Sequence, residues 1–304
     1  MPAEPPFGRL LTAMVTPFTP GGALDVQAAA ELATHLVDAQ GHDGLVISGT
    51  TGESPTTTDA EKAGLLRAVV EAVGDRATVI AGVGTFDTRH TIELAAQAAA
   101  MGADAILVVT PYYSKPPQPG LIHHFTTVAD STDLPVMLYD IPHRAGLAIA
   151  TDTFLRVAEH PRIVAVKDAK ADPVASAQVM AQTDLAYYSG EDALTLPLLS
   201  VGAVGVVGTS THFTGPATKE LIEAFLTGDV QTALRLHRQL LPLYTGIFAT
   251  QGCILVKAGL ELQGRGVGGL RAPLLSATEA ERAALAVAMA ACGLGSDGLG
   301  SDGL

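Results

Sequence analysis

Short apolar runs alternate with longer Ala- and Leu-rich segments along most of the chain. The runs are almost continuously apolar, which is typical of parallel strands that are covered on both faces. We predict eight strands, at 10–16, 44–48, 77–83, 105–110, 135–140, 163–168, 186–190 and 205–209. Helical patterns separate them, at about 26–40, 59–73, 89–101, 119–130, 152–159, 173–182 and 192–201.

This alternation of strands and helices predicts an α/β protein with a (β/α)8 TIM barrel. A doubly wound open sheet is the main alternative, but no Gly-rich phosphate loop follows the first strand. After the eighth strand, more helical patterns occur than one barrel helix needs, at 216–227, 229–245, 253–263 and 276–291. We therefore expect a barrel at 1–225, an appended C-terminal helical segment at 226–292 and, where GSDGL is repeated, a disordered tail at 293–304.

Composition and charge narrow the classes of function. The 304 residues are 48% hydrophobic and 16% charged, which excludes a disordered chain. A net charge of −13 argues against binding nucleic acid or an anionic membrane through a broad basic face. No signal peptide is visible, and Cys253 and Cys292 form no CxxC motif, so we expect reduced thiols and a cytoplasmic protein. The uncharged stretch at 193–218 could span a membrane by length, but its glycines and prolines favour a buried helix, a turn and a strand.

Two motifs that would indicate a cofactor or a metal fail on context. Gly264, Gly266 and Gly269 match G-x-G-x-x-G, but a helical segment precedes them where a dinucleotide site needs a strand. No H-E-x-x-H is present, and the adjacent His123 and His124 point in different directions on a helix. We therefore expect neither a dinucleotide nor a metal.

Candidate chemistry lies where strands end, because the active sites of such barrels lie at the C-terminal face. The predicted strand ends read GTTGE, TPYY, LYDIPHRAG, VAVKDAK and SGED. They contribute an amine, phenols, hydroxyls and a guanidinium: Thr50, Thr51, Glu53, Tyr112, Tyr113, Tyr139, Arg144, Lys167 and, at the seventh end, Gly190.

Lys167 is the most informative of these residues, because it ends the apolar run at 163–166 and the chain has only six lysines. An apolar site lowers the pKa of a lysine toward the neutral amine that attacks carbonyl groups. Asp168 would oppose that shift, but successive strand residues face opposite sides. A lysine with a buried stem and a solvent-exposed head is the alternative.

The tyrosines and threonines have structural alternatives as well. Tyr112, Tyr113 and Tyr139 suit either proton transfer within a relay or amphipathic packing at the barrel rim. The hydroxyls and backbone N–H groups at 50–52 suit a bound carboxylate, or an ordinary helix N-cap.

Five segments together resemble the dihydrodipicolinate synthase family, in order and with matching spacing from about residue 8 to 292. They are GTTGES (49–54), TPYYSKPPQPGL (110–121), LYDIPHRAG (138–146), VAVKDAKAD (164–172) and YYSGEDAL (187–194). The wider class I pyruvate aldolases share most of these motifs. Arg144 in its P-x-R-x-G context is more typical of the synthases than of N-acetylneuraminate or 2-keto-3-deoxy sugar-acid lyases.

The resemblance implies a reaction and a proton relay. Lys167 would form a Schiff base with pyruvate, and the derived enamine would attack L-aspartate 4-semialdehyde to give 4-hydroxy-tetrahydrodipicolinate, a precursor of diaminopimelate and lysine. Thr50, Tyr113 and Tyr139 would form the relay, with Tyr113 supplied across a dimer interface. The assembly would be a homotetramer built as a dimer of dimers.

The resemblance also implies the binding residues. Thr51 would hold the pyruvate carboxylate together with Thr50, and Arg144 would clamp the semialdehyde carboxylate. Gly190 and Val207 would line the pyruvate pocket. The family uses no organic cofactor and no catalytic metal.

Some positions depart from the family pattern. Asp140 and Asp168 stand where Asn and Glu are frequent, and Ala145 and Gly208 replace Thr and Ser. Feedback inhibition by lysine depends in many relatives on His, Asn and Glu. Those positions match Asp59, Phe86 and His90 here, so we predict weak or absent lysine feedback. A sugar-acid lyase, a non-catalytic sensor of small acids and a metal-dependent aldolase remain the alternative functions.

Overall fold

Eight parallel strands close into a barrel in chain order, each paired with the next and the last with the first. The computed structural model describes residues 5–294. The strands are β1 (Leu10–Ala13), β2 (Gly44–Ile47), β3 (Thr78–Gly82), β4 (Ala105–Val109), β5 (Val136–Asp140), β6 (Ile163–Asp168), β7 (Ala186–Ser189) and β8 (Gly205–Gly208). The prediction of a (β/α)8 barrel is confirmed.

Helices follow the strands and continue after β8. They are α1 (Val26–Thr34), α2 (Asp59–Val73), α3 (Thr88–Ala100), α4 (Gln118–Asp130), α5 (Pro142–Ala145), α6 (Thr151–Val157), α7 (Pro173–Met180), α8 (Thr195–Leu199), α9 (Thr211–Leu226), α10 (Val230–Gly246), α11 (Gly252–Leu262) and α12 (Glu279–Ala291). The last three form the appended helical segment, in which α10 packs against both α9 and α12.

The strand sequences are continuously apolar because both faces are buried. In β2, Leu45 and Ile47 join the apolar layer between the sheet and the helices, whereas Val46 belongs to the cluster inside the barrel. Ala165 and Tyr139 lie in the same inner cluster. The barrel interior is therefore a packed core, with the side chains at the strand ends above it.

Three predicted elements differ from the observed ones. β1 ends at Ala13: the Met14 amide still donates to the Val46 carbonyl (3.0 Å), but the Val15 amide donates to His212 Nε2 (3.3 Å) and not to a neighbouring strand. The helix predicted at 26–40 becomes π-helical over His35–Ala39, where the Gln40 amide donates to the His35 carbonyl. The helix predicted at 192–201 is a 3₁₀ turn, Asp192–Leu194, followed by α8.

The predicted starts of two C-terminal helices, at 216 and 276, differ from the observed starts by several residues. α9 begins at Thr211 and contains Pro216, although proline favours the first turn of a helix. α12 begins at Glu279, because Thr278 and Glu281 form a capping box. The glycines of the G-x-G-x-x-G motif, Gly264, Gly266 and Gly269, follow helix α11 and not a strand, as predicted.

The uncharged stretch at 193–218 contains the predicted helix and strand, which are α8 and β8, with a turn between them. It ends within the first part of α9. Within residues 5–294, we find no helix with the length and apolar character that a membrane crossing requires. The predicted tail from residue 295 onward lies outside the described residues. The division between barrel and helical segment at 225 and 226 stays a prediction.

Candidate active site

Lys167 and Tyr139 face each other at the ends of two adjacent strands. The two residues are in register between β5 and β6, and Lys167 Nζ lies 4.4 Å from the centre of the Tyr139 ring. Both side chains are almost fully buried, with exposed fractions of 4% and 5%. The lysine therefore points into the barrel mouth, and the alternative in which its head reaches open solvent does not apply.

The surroundings of Lys167 favour its neutral form. Burial lowers the pKa of Lys167 to about 8; the nearby Asp192 and Glu191 carboxylates oppose the shift, and Arg144 adds to it. No carboxylate among the described residues forms an ion pair with this ammonium. An amine with such a pKa is partly neutral near physiological pH and can attack a carbonyl carbon.

The acids that follow Tyr139 and Lys167 point away from the barrel interior, as strand alternation predicted. Asp168 accepts a short hydrogen bond from Ser176 Oγ of α7. Asp140 lies 3.7 Å from Lys170 Nζ, and burial raises the pKa of its carboxyl to about 7. These carboxylates belong to the layer behind the sheet and leave Lys167 without a direct partner.

Tyr139 keeps its proton over a wide pH range. Burial raises the pKa of Tyr139 well above its ordinary value; Glu191 adds to the shift, while Arg144 and the Thr50 hydroxyl oppose it. A phenol that stays protonated beside a hydroxyl and a guanidinium can donate a proton to a developing alkoxide.

The GTTGE loop after β2 forms another wall. The amide of Glu53 donates to the Thr50 carbonyl (3.2 Å), and Thr16 Oγ1 donates to the Gly52 carbonyl (2.6 Å). Thr51 is buried, and both threonines line the cavity that contains Lys167. The loop therefore presents hydroxyls to a small acid beside the amine.

Two cavities adjoin at the barrel mouth. The one around Lys167 has a volume of about 240 Å³, and a neighbouring one of about 380 Å³ extends toward Tyr112 and Tyr113. Both are lined by Thr50, Tyr139 and Arg144. Together they provide two adjoining spaces at the barrel mouth, one beside the Lys167 amine and one beside the tyrosines.

Arg144 is placed by α5, a single turn that the sequence analysis did not predict. The helix begins with Pro142 and ends at Ala145. The next residue, Gly146, caps it with φ +83° and donates its amide to the Pro142 carbonyl (2.8 Å). The Arg144 side chain is exposed at the mouth and reaches both cavities.

Gly190 and Val207 occupy different places. Gly190 lines the Lys167 cavity and donates its amide to the Asp168 carbonyl (2.7 Å). An added Cβ would lie 3.1 Å from that carbonyl group and from Ala169 Cβ, so the close packing favours glycine. Val207 is fully buried in the inner cluster of the barrel with Tyr139.

Tyr113 differs from the other predicted relay residues because it is exposed. Its exposed fraction is 92%, and its backbone adopts φ +68°, a conformation that non-glycine residues rarely take. It borders the larger cavity, whereas Thr50 and Tyr139 border both. Within one chain, therefore, Tyr113 does not join Lys167.

Sequence reasoning missed the acids beside Lys167. Asp192 is fully buried and accepts hydrogen bonds from the Ser210 hydroxyl (2.6 Å) and from the Thr209 and Ser210 amides. Burial raises its pKa, and it acts on Lys167 through its charge. Both acids, Glu191 and Asp192, belong to the SGED motif at the end of β7, of which the sequence analysis names only Gly190 as a site residue.

It also missed a wall that the appended helices provide. Three residues between α10 and α11 and the first residue of α11 line the Lys167 cavity: Phe248, Thr250, Gln251 and Gly252. No strand precedes this turn, so reading only strand ends could not find it. Across residues 5–294, no three His, Cys, Asp or Glu side chains are grouped as a metal site would require.

Comparison with known proteins gives consistent matches over nearly the whole chain. The model of the dihydrodipicolinate synthetase family matches residues 6–292. The 4-hydroxy-tetrahydrodipicolinate synthase of Acidothermus cellulolyticus is 67% identical over 288 residues, which are 95% of this chain and 93% of the relative.

Solved structures agree. Dihydrodipicolinate synthase from Cyanidioschyzon merolae with lysine bound has a TM-score of 0.93 and 43% identity, covering 95% of this chain and 99% of that one. The chloride-inhibited enzyme from Acinetobacter baumannii complexed with pyruvate has a TM-score of 0.91 and 33% identity over the same shares of the two chains. The predicted resemblance is confirmed, and the chain belongs to the dihydrodipicolinate synthetase family.

Proposed function

We propose that Lys167 is the Schiff-base lysine of this chain, in the reaction that its family membership establishes. The chain is a class I aldolase-type lyase that condenses pyruvate with L-aspartate 4-semialdehyde in the biosynthesis of lysine and diaminopimelate. The observation that carries the residue assignment is the buried amine of Lys167 above the Tyr139 ring, with a pKa lowered to about 8.

The first half of the reaction needs a neutral amine. Lys167 Nζ attacks the C2 carbonyl carbon of pyruvate, and loss of water leaves an iminium linked to the lysine. Tyr139, which has given its proton to the departing hydroxyl group, then takes a proton from the pyruvate methyl group to give the enamine. The hydroxyls of Thr50 and Thr51 and the N–H groups of their loop hold the pyruvate carboxylate, which their position in the Lys167 cavity supports.

The second half uses the adjoining space. The enamine carbon bonds to the aldehyde carbon, and Tyr139 protonates the alkoxide that forms. The amino group of the product then attacks the iminium carbon, so that ring closure releases Lys167. Arg144 binds the semialdehyde carboxylate through two parallel N–H donors, a role that its position between the cavities supports.

The relay is completed in an oligomer. Tyr113 is exposed at the mouth of its own barrel, which supports its contribution to the site of a second copy in a dimer, with two dimers forming a tetramer. A cytoplasmic location is supported by the two buried free cysteines, which suit a reducing compartment.

Borohydride trapping tests the assignment of Lys167. The protein is treated with pyruvate and borohydride in the presence of a chelator, and its peptides are mapped by mass spectrometry. We expect a pyruvate-derived adduct on Lys167 and no adduct in Lys167→Ala. Folded protein without an adduct would exclude the Schiff base and favour a sensor of small acids or a metal-dependent aldolase.

A further inference from the structure

A buried ion pair lies behind the catalytic cavity. Lys257 Nζ of α11 is 2.7 Å from Glu53 Oε1 of the GTTGE loop, and both side chains are almost wholly inaccessible, at 3% and 0% exposure. Glu53 Oε1 has no other polar partner among the described residues. The pair is therefore a direct contact between two segments that are distant along the chain.

The surroundings satisfy both ions from fixed positions. Lys257 Nζ also donates to the Gly269 carbonyl (2.6 Å) and lies 4.3 Å above the centre of the Phe18 ring. Glu53 Oε2 accepts from the Arg271 amide (3.0 Å). Two buried charges with such partners are held in one geometry, since any movement would leave a charge unpaired in an apolar place.

Each ion is attached to a wall of the Lys167 cavity. Glu53 follows Thr50 and Thr51 in the same tight loop, and its own backbone is held at φ +54°. Lys257 belongs to α11, whose first residue, Gly252, lines the cavity together with Gln251. The ion pair thus joins two segments that both contribute to the lining of this cavity.

We infer that Glu53 and Lys257 are positioning residues for pyruvate: their ion pair holds the Thr50–Thr51 loop against the start of α11 and so sets the affinity of the site for the pyruvate carboxylate. This inference rests on the proposed function. Neither ion lines the cavity itself. Arg144, which binds the other substrate, lies on α5 and is not attached to either wall.

The test is the double variant Glu53→Gln/Lys257→Met, which removes both charges and leaves neither buried alone. We expect the pyruvate KM to rise about ten- to hundredfold. The KM for the semialdehyde should change by less than about twofold, because Arg144 is not in contact with the ion pair. A pyruvate KM equal to that of the wild type would overturn the inference.

The chain offers a control ion pair at the other end of β2, which is partly exposed where the Glu53–Lys257 pair is buried. Lys219 Nζ lies 3.1 Å from Asp43 Oδ1, just before β2 and away from the cavity. We expect Asp43→Asn/Lys219→Met to lower Tm and to leave both KM values unchanged. A pyruvate KM that rose equally in both double variants would show a general loss of stability and would also overturn the inference.

Two further measurements keep the outcome decisive. Glu53→Gln alone preserves the shape of the side chain; if the double variant does not fold, this single variant must still raise the pyruvate KM selectively. Trapping on wild-type Lys167 is run in parallel. An adduct there, combined with an unchanged pyruvate KM in the variants, rejects the positioning role alone, whereas no wild-type adduct rejects the proposed function.

Discussion

Four lysines within residues 5–294 occupy largely buried positions, and their partners separate their roles. Lys62 lies 3.7 Å from Asp59. Lys257 pairs with Glu53 at 2.7 Å, and Lys170 lies 3.7 Å from Asp140. Lys167 forms no such pair within residues 5–294 and faces an aromatic ring. Among the described lysines, only Lys167 therefore combines burial with the absence of a paired carboxylate, and this difference supports its proposed role as the nucleophile.

The acid–base state of Lys167 predicts the pH dependence of catalysis. Because the pKa of this amine is lowered to about 8, the neutral form increases as the pH rises toward 8. We expect kcat/KM for pyruvate to rise about tenfold per pH unit below that value and to level off above it. Initial rates between pH 6 and 9 measure this.

The variant Glu191→Gln tests the direction in which a neighbouring carboxylate shifts the pKa of Lys167. The Glu191 carboxylate stabilises the ammonium of Lys167 and raises its pKa. Removing the charge should move the midpoint of the pH profile to lower pH. A midpoint that moved upward, or a profile that stayed flat through pH 8, would contradict the environment described for Lys167.

At the scale of elements, sequence patterns predict those parts whose signals are local. Helix α2 occupies the predicted range 59–73. The Thr58–Glu61 capping box fixes its start, and apolar residues at helical spacing continue to its end. Helix α5 was not predicted, since four residues are too few to show a helical period. The turn at Gln251 was missed for a different reason: it reaches the cavity only through tertiary packing of the appended helices.

Gly146 controls the helix that carries Arg144. An added Cβ would lie 2.5 Å from Lys115 Cε, and the φ of +83° already disfavours any side chain. We expect Gly146→Ala to lose about 1–2 kcal/mol of stability and to raise the KM for the semialdehyde. Thermal unfolding and steady-state kinetics with both substrates measure these two effects.

Gly228→Ala is the control for that substitution. Gly228 adopts φ +87° with no atom near the position of an added Cβ, and it joins α9 to α10. It should lose similar stability from the backbone alone and keep the wild-type KM for the semialdehyde. Equal kinetic effects in both variants would mean that α5 has no particular role in placing Arg144.

At the scale of the whole molecule, the exposure of Tyr113 supports the proposal that the relay is completed by a second copy of the chain. The order of the barrel strands follows from the sequence, because alternating apolar runs and helices allow few arrangements. The partner surface does not, because surface residues carry no comparable periodic constraint. Tyr113 could be selected as a candidate only from its TPYY motif and the family resemblance.

Assemblies that contain two different variants test whether Tyr113 of one subunit acts in the site of another. We expect Lys167→Ala and Tyr113→Phe each to have little activity, whereas co-expression of the two should recover up to about a quarter of the wild-type activity through paired sites of mixed composition. Activity assays and light scattering on the same samples measure both properties. A mixture no more active than its separate components, or a fully active monomer, would contradict the shared site.

Lysine should be a poor inhibitor of this enzyme. The positions at issue hold Asp59, paired with His90 at 2.9 Å, and Phe86, which is largely exposed and packs edge-on against Tyr112. This arrangement differs from the His, Asn and Glu set expected of lysine-sensitive relatives. Rates measured with increasing lysine should stay near the uninhibited value, and half-inhibition at low millimolar lysine would contradict the prediction.

The joining of Arg271 to Glu53 across 218 positions also orders events during synthesis of the protein. Domains generally acquire structure while the chain is being made, with the N-terminal portion emerging first. Lys167 and the threonine loop are therefore translated well before α11 and the residues that anchor the loop. A nascent chain that ends before α11 carries the groups proposed to react in one subunit but lacks Gly252, which lines the Lys167 cavity, so the proposed site is completed late in synthesis.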